Sequence, residues 1–492
     1  MEPKQKTEQD TTVGKEHFVQ KTEYLDEKLL AYSQTDAYPF HMPGHKRNKT
    51  LLGIELPYDL DITEIDGFDD LHHADGILKE EQERAARVFG AEESHFLVNG
   101  STAGILSAVM GCTHRGDKIL VARHCHKSIY HAIYMNGLVP RYVYPEFDIS
   151  MHMNGEISKE DVAKALAAEP DIKAVVIVSP NYDGVVSDVK GIAEVAHSYR
   201  IPLIVDEAHG PHFGFHPAFP GRANDLGADV VINSLHKTLP SLTQTAILHI
   251  NGKLANRRRI KKYLDMLQSS SPSYIFMASL DACVDFLDGK CEEAFELYVE
   301  RLQKFREELK PLQHLQILRT EHYDISKVVI STANANITSP ELADRLRKEY
   351  HLEMEMTGGT YVLAMTTVAD TQEGLDRLKA ALLEIDGQLE AKTAVSGSIE
   401  ISGELPRLEQ YFTPQEAAER EEDGEAEEIP WKESEGHISL EYAYLYPPGS
   451  PVIVPGERIS REAVELLCYY ETQNLQIEGI QTEGKIKVWK HE

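Results

Sequence analysis

The sequence predicts an α/β protein, with a large domain built on a mainly parallel sheet and a smaller α/β C-terminal domain. Three observations point to this. From about Phe40 to Leu287, short β-rich apolar runs alternate with helical stretches, the pattern of parallel strands joined by crossover helices. From Lys327 to Ile385 the alternation returns on a smaller scale. The chain has 492 residues, beyond the roughly 250–300 at which a single core stops growing. The resulting partition is a polar, helical arm over residues 1–37, a large domain over 38–290 and a smaller domain over 291–492.

The arm is polar until a short helix at its end. The apolar runs of the large domain are His95–Val98, Lys118–Val121, Ala174–Val178, Leu203–Val205, Val230–Asn233 and Ala246–Ile250. Between the third and fourth, Ile192, Val195 and Ala196 recur at helical spacing within Val189–Tyr199, which makes a βαβ unit. A charged helical connector follows near 290–310. In the smaller domain Lys327–Thr332 reads as a strand, and Ser339 as a helix N-cap with Pro340 in the first turn. Leu352–Thr357 and Tyr361–Thr367 read as two further strands, and Leu375, Leu378, Leu382 and Ile385 line one face of a second helix. Residues 416–435 carry ten acids against Arg420 and Lys432 and read as a solvated helix or linker. Apolar runs broken by Pro-Pro-Gly and Pro-Gly turns return over Glu441–Glu457.

Composition narrows the function. The formal net charge is −30, which argues against sequence-independent nucleic-acid binding, because that requires clustered Lys and Arg. Five scattered cysteines without a CxxC pair read as reduced thiols in a cytoplasm. The first sixteen residues lack the apolar core of a signal peptide. No run reaches the roughly 18 apolar residues of a membrane helix. A soluble, cytoplasmic protein is expected.

Three segments carry chemistry. In ADVVINSLHKT (228–238) a β-rich run ends in Ser234, His236 and Lys237, so a lysine stands at the carboxyl end of a strand, where open α/β sheets deliver functional groups. In LIVDEAHG (203–210) Asp206 closes a second run, where a carboxylate could keep a pyridine nitrogen protonated. The DEAH letters are shared with helicases, but no GxxxxGK[ST] loop is present to cradle nucleotide phosphates. In FLVNGSTAG (96–104) a strand turns into a small-residue helix whose first turn, with Ser101 and Thr102, can cup a phosphate. A phosphate, a pyridinium and an aldehyde-reactive lysine together describe pyridoxal 5′-phosphate (PLP).

The segments FHMPGHK (40–46), DDLHHADG (69–76), RHCHKS (123–128), SPNYDG (179–184), VDEAHG (205–210), SLHKTLPSLTQ (234–244), SSSPSY (269–274) and YPPGSPVIVPGE (446–457) resemble the Orn/Lys/Arg decarboxylase family over roughly residues 38 to 460. The resemblance implies a fold-type-I, PLP-dependent decarboxylase of arginine, lysine or ornithine that feeds polyamine synthesis, with arginine favoured by likeness to short biosynthetic relatives. It implies that Lys237 binds the cofactor, that Asp206 partners its ring nitrogen, and that Ser101, Thr102, Ser234 and His236 hold its phosphate. His126 would stack on the ring, with Ala208 and His209 on the other side, and Lys237 or His209 would return the proton to Cα. Ser269 or Ser270 would reach the phosphate of a neighbouring subunit, so a homodimer or dimer of dimers with shared active sites is expected. The sequence departs from the family in having Asn181 where SPTYDG has threonine. It also lacks an N-terminal receiver-like wing, so wing-mediated decamers are not expected.

A basic substrate requires carboxylates, and the candidates are Asp69, Asp70, Glu355 and Glu457. His209, His212 and His216, or His124, His126 and His131, could suggest a metal site, but neither group fits HExxH and none is expected. Two other readings remain: another fold-type-I activity such as an aminotransferase, and a catalytically silent regulatory homologue.

Overall fold

The computed structural model describes residues 23–148, 153–318, 322–392, 405–445, 450–472 and 475–490. The expectations for residues 1–22 and for the Pro-Pro-Gly turn at 446–449 lie outside these.

The central sheet has seven strands: β1 (Glu93–Leu97), β2 (Lys118–Ala122), β3 (Val139–Val143), β4 (Val175–Val178), β5 (Leu203–Asp206), β6 (Val230–Asn233) and β7 (Ala246–Ile250). Their order is β1-β7-β6-β5-β4-β2-β3. All neighbours pair in parallel except β7, which runs against both β6 and β1. Every residue of β4, β5 and β6 is buried, as expected for central strands covered by helices on both faces. One face packs Ile105, Ile129 and Ile192 against the sheet, and the other packs Leu78, Leu235 and Met277. β3 was not among the predicted runs, because Pro140 and Arg141 interrupt its apolar pattern. A proline that cannot donate is tolerated there, since β3 is an edge strand.

Small residues bring one helix down onto the sheet. A Cβ at Gly104 would lie 2.6 Å from Leu97 Cδ1, so helix Gly100–Cys112 approaches as closely as only glycine permits. Its first turn is thereby placed over the strand ends.

Two of the clusters of buried apolar residues lie wholly within residues 291–490. The first lies on one face of a four-stranded antiparallel sheet, Gln316–Ile317, Lys327–Ser331, Tyr361–Met365 and Met356–Thr357, packed there by helices Ser339–Tyr350 and Gln372–Asp386, while Val329, Tyr361 and Leu363 on the other face join Val185 of the large domain. The first of these helices is capped one residue earlier than expected. Thr338 is the N-cap and forms a capping box with Glu341, which places Ser339 inside the first turn. Only Met356–Thr357 of the expected strand 352–357 enters the ladder, because the chain leaves the helix through His351 at φ 55 and uses the intervening residues to reach the sheet edge.

The second cluster gathers Trp431, Ile453, Leu466 and Val488. The acidic stretch forms part of this unit and is not a linker. It contains most of helix Pro414–Glu422 and the strand Ala426–Pro430, which pairs with Lys485–Trp489. Lys487 pairs with Glu421, Arg420 with Glu425 and Lys432 with Glu471.

Candidate functional site

Two neighbouring parallel strands deliver the central groups. Asp206 ends β5, paired with Ile232 of β6. β6 runs through Ser234 into the short helix Leu235–Thr238, which carries Lys237. The turn after β5 brings His209 back over this edge, where the Lys237 ammonium donates to His209 Nε2 at 2.9 Å. Ala208, also buried, donates its N–H to Asp206 Oδ1 at 3.1 Å. From two strands away, β2 leads to His126, the N-cap of helix Lys127–Met135, whose Nδ1 accepts the Ser128 N–H.

Burial sets the charge states. It pulls the Lys237 amine below its usual range, opposed by the charges of Asp206 and Glu355. It raises the Asp206 carboxyl, opposed by Lys237. It also drives His209 well below the ordinary imidazole range and His126 down to about 4. The site therefore holds two neutral imidazoles and a lysine eased toward the neutral amine, the form that attacks a carbonyl.

Several polar groups lack a partner among the described residues. Ser234 Oγ and His209 Nδ1 are buried without a hydrogen bond. The helix Gly100–Cys112, with Ser101 and Thr102 in its first turn, has no side-chain cap at Asn99. His236 donates Nδ1–H to the Thr245 carbonyl at 2.8 Å, leaving Nε2 for another partner. The free N–H groups of a helix N-terminus and the unpaired Ser234 hydroxyl form a donor set that fits a phosphate, with His236 beside them. Lys237 and Asp206 fit the aldehyde and ring nitrogen of PLP.

Ser269 and Ser270 are exposed. Ser269 donates its N–H to Asn99 Oδ1 at 3.1 Å, so the segment abuts the Gly100 turn of its own chain. Asn181 organises its loop in place of threonine: its Oδ1 accepts the Gly184 and Val185 N–H groups and its Nδ2 donates to the Asn154 carbonyl. That holds Tyr182 with its ring centroid 4.5 Å from that of His209 and its hydroxyl donating to Glu355.

The four candidate carboxylates separate sharply. The charge of Glu355 reaches Lys237. Asp69 is saturated by the N–H groups of Asp70, Asp75, Gly76 and Leu78. Asp70 caps the turn at His72 and pairs with His73. Both line an open acidic groove with Glu23, Glu27 and Glu64, which Lys237 does not line. Glu457 is fully buried in a two-oxygen pair with Arg123, at 2.6 and 2.8 Å, and also accepts the Val454 N–H. These three acids are thus held by backbone N–H groups or an ion pair, whereas Glu355 accepts from the Tyr182 hydroxyl and its charge acts on Lys237. Among the described residues no cluster of three or more His, Cys, Asp or Glu could hold a metal ion. His212 turns to Thr238 and Asp324, and His216 to Glu296.

Sequence reasoning passed over Lys327, which stands at the start of a small-domain strand and is fully buried. A lysine heading the otherwise apolar run KVVIS was the available signal, since lysine is almost never fully buried without a partner.

The chain is similar to known proteins over nearly its whole length. The family model described as Orn/Lys/Arg decarboxylase, major domain, matches residues 24–387, and that of the Orn/Lys/Arg decarboxylase C-terminal domain matches residues 403–484. An arginine decarboxylase of Bacillus subtilis is 34% identical over 467 residues, covering 92% of this chain and 94% of that one. One from Bacillus anthracis is 32% identical over 485 residues, covering 94% and 97%. The crystal structure of a lysine decarboxylase from Francisella novicida aligns with a TM-score of 0.80 at 20% identity, over 95% of this chain and 81% of that one, and shows the same fold.

Proposed function

This chain belongs to the Orn/Lys/Arg decarboxylase family, PLP-dependent enzymes that decarboxylate basic amino acids, and from that premise we propose that its substrate is L-arginine and that its product feeds polyamine synthesis. Membership makes it a decarboxylase and sets aside the aminotransferase and silent readings. The observation that carries the site assignment is the Lys237–His209 contact at 2.9 Å beside Asp206. Arginine is favoured by the relatives named arginine decarboxylase at 32–34% identity over most of the chain. CO₂ release from arginine, lysine and ornithine with PLP present tests this; arginine gives the highest kcat/KM, and a preference for either of the others overturns it.

The bound cofactor supplies an electron sink for the carbon that loses CO₂. The chain's own residues do the rest. Lys237, eased toward its neutral form, holds the cofactor's aldehyde end and is the base that can carry a proton back. His209, neutral and accepting from Lys237 Nζ, fixes that amine and can relay its proton. Asp206 would hold the ring nitrogen, and the neutral, flat ring of His126 would lie against the cofactor. Ser101, Thr102, Ser234 and His236 would hold the phosphate.

Glu355 receives the substrate's side-chain cation. Glu355→Gln raises KM for arginine and weakens inhibition by agmatine alike, each by roughly 10- to 100-fold, with a smaller change in kcat. An unchanged KM removes Glu355 from the specificity site.

The active form is proposed to be a homodimer or dimer of dimers, with Ser269 or Ser270 serving the neighbouring subunit's phosphate. The support is a concentrated apolar surface, where Tyr38, Phe40, Met42, Leu51, Leu52 and Ile54 are each more than half exposed, more than a monomer normally leaves open in one stretch. Sedimentation of the wild type gives at least a dimer, and the double variant Phe40→Ser, Leu52→Ser shifts it toward monomer with loss of activity. A variant that sediments as the wild type does refutes this surface. All five cysteines are unpaired and no helix among the described residues is long and apolar enough to cross a membrane, which supports a cytoplasmic location.

A further inference from the structure

Lys327 opens the strand Lys327–Ser331 and is 0% exposed, yet its Nζ has no hydrogen-bond partner among the described residues. A buried ammonium without a contact is costly, so it persists where something else supplies the anion. The carboxylates around it are engaged elsewhere. Asp324 accepts the Ser326 N–H and hydroxyl at 2.9 and 2.7 Å and pairs with His212 at 3.1 Å. Asp183 accepts from the Tyr361 hydroxyl, and Glu355 from that of Tyr182. Lys327 feels the charges of Asp324, Asp183 and Glu355 without touching them.

Its stem is built into the same loop that frames the site. At Gly184, φ +106, an added Cβ would lie 2.7 Å from Lys327 Cγ and 3.1 Å from the Tyr323 ring, so only glycine lets the loop close over the lysine. Two residues earlier, that loop carries Tyr182 against His209, the partner of Lys237. The electrostatic coupling agrees with this placement, because the charge of Lys237 lowers Lys327 and that of Lys327 helps to depress His209.

We infer that Lys327 is the anchor for the substrate's α-carboxylate. The inference rests on the decarboxylase reading above and assigns the one substrate group for which that reading names no partner. The amino acid brings a cation, placed at Glu355, an amine, exchanged at Lys237, and a carboxylate. An ammonium makes a point contact where a guanidinium would grip both oxygens. It orients the carboxylate without the full ground-state stabilisation that would oppose its departure. When the Cα–carboxylate bond breaks, the electron pair stays on carbon, neutral CO₂ leaves and a proton takes its place. The product amine then has no anion for Lys327. The anchor therefore favours substrate over product.

The test is made on PLP-loaded enzyme with L-arginine and agmatine, which differ by the carboxylate alone. In Lys327→Met, KM for arginine rises by roughly 10- to 100-fold, while the agmatine dissociation constant, read by calorimetry, changes less than about twofold. Unchanged agmatine binding also shows that the variant is folded. Equal weakening of both ligands, or an unchanged arginine KM, overturns the anchor. Should Lys327→Met not fold, the wild type decides. Burial and the charge of Lys237 bring Lys327 down to about 8, opposed by Asp324, Glu355 and Asp183, so the preference for arginine over agmatine falls as pH rises through that value. A preference flat to pH 10 overturns the anchor. If the wild type prefers lysine or ornithine, the same comparison is made with that amino acid and its amine. No CO₂ from any of the three overturns the substrate reading and the anchor with it, whereas normal wild-type turnover with an unchanged ratio in the variant overturns the anchor alone.

Discussion

Lys237→Ala lowers kcat/KM by about 10⁴-fold or more and removes the visible absorbance of lysine-bound PLP, while the protein stays folded. The size follows from the number of tasks that meet on one nitrogen. Lys237 Nζ is the group that can bond to the cofactor aldehyde, and it sits 2.9 Å from His209 and within the field of Asp206. Alanine leaves His209 without its donor and the cofactor without its covalent tether. Stability is expected to hold or rise, because a buried amine that resists charging is removed. Absorbance and steady-state kinetics on the purified variant check the prediction together, with circular dichroism as the folding control. A variant that retains a tenth of wild-type activity would place the chemistry elsewhere.

The largest stability effect is expected at the Arg123–Glu457 pair. Arg123 follows β2 by one residue and stands three before His126. Its guanidinium gives two hydrogen bonds to Glu457 and one to the Val452 carbonyl, and lies 4.7 Å from the centre of the Tyr142 ring. The side chains are 4% and 0% exposed. Removing one partner strands the other charge in the interior, so Glu457→Ala costs about 3–5 kcal/mol, read as a shift in the urea unfolding midpoint. Replacing both with apolar residues, Arg123→Met with Glu457→Leu, costs less than the sum of the single changes, because no charge is left alone. A loss below about 1 kcal/mol for Glu457→Ala would mean that water reaches Arg123 in solution.

The placement of Asp206 at the end of one strand and of Lys237 just beyond the next was legible in the sequence, because an unbroken apolar run followed by charged residues reads as a buried strand of a parallel sheet. The edge strand Val139–Val143 was not legible, since Pro140 and Arg141 removed the pattern that burial imposes on central strands. The four candidate carboxylates could not be told apart from sequence either. Asp69 and Glu355 look alike in the chain, and what separates them is four backbone N–H groups around one and a tyrosine 173 positions away beside the other. Lys327 was read as the polar start of a strand, because the glycine that encloses it lies in a distant loop. Glu457 stood in a recognisable motif, yet its role depends on Arg123, which the same motif does not contain.

The Arg123–Glu457 pair also has a timetable. Its members are 334 positions apart, so at ribosomal rates of about 5–20 residues per second Arg123 waits roughly 20–70 s for its partner to be synthesised. Until then the strand edge that carries His126 ends in an uncompensated cation. A nascent chain cut short before Glu457 cannot reach the finished interior, however well its earlier strands have paired. The interior around Arg123 is thus closed only after nearly the whole chain has been made.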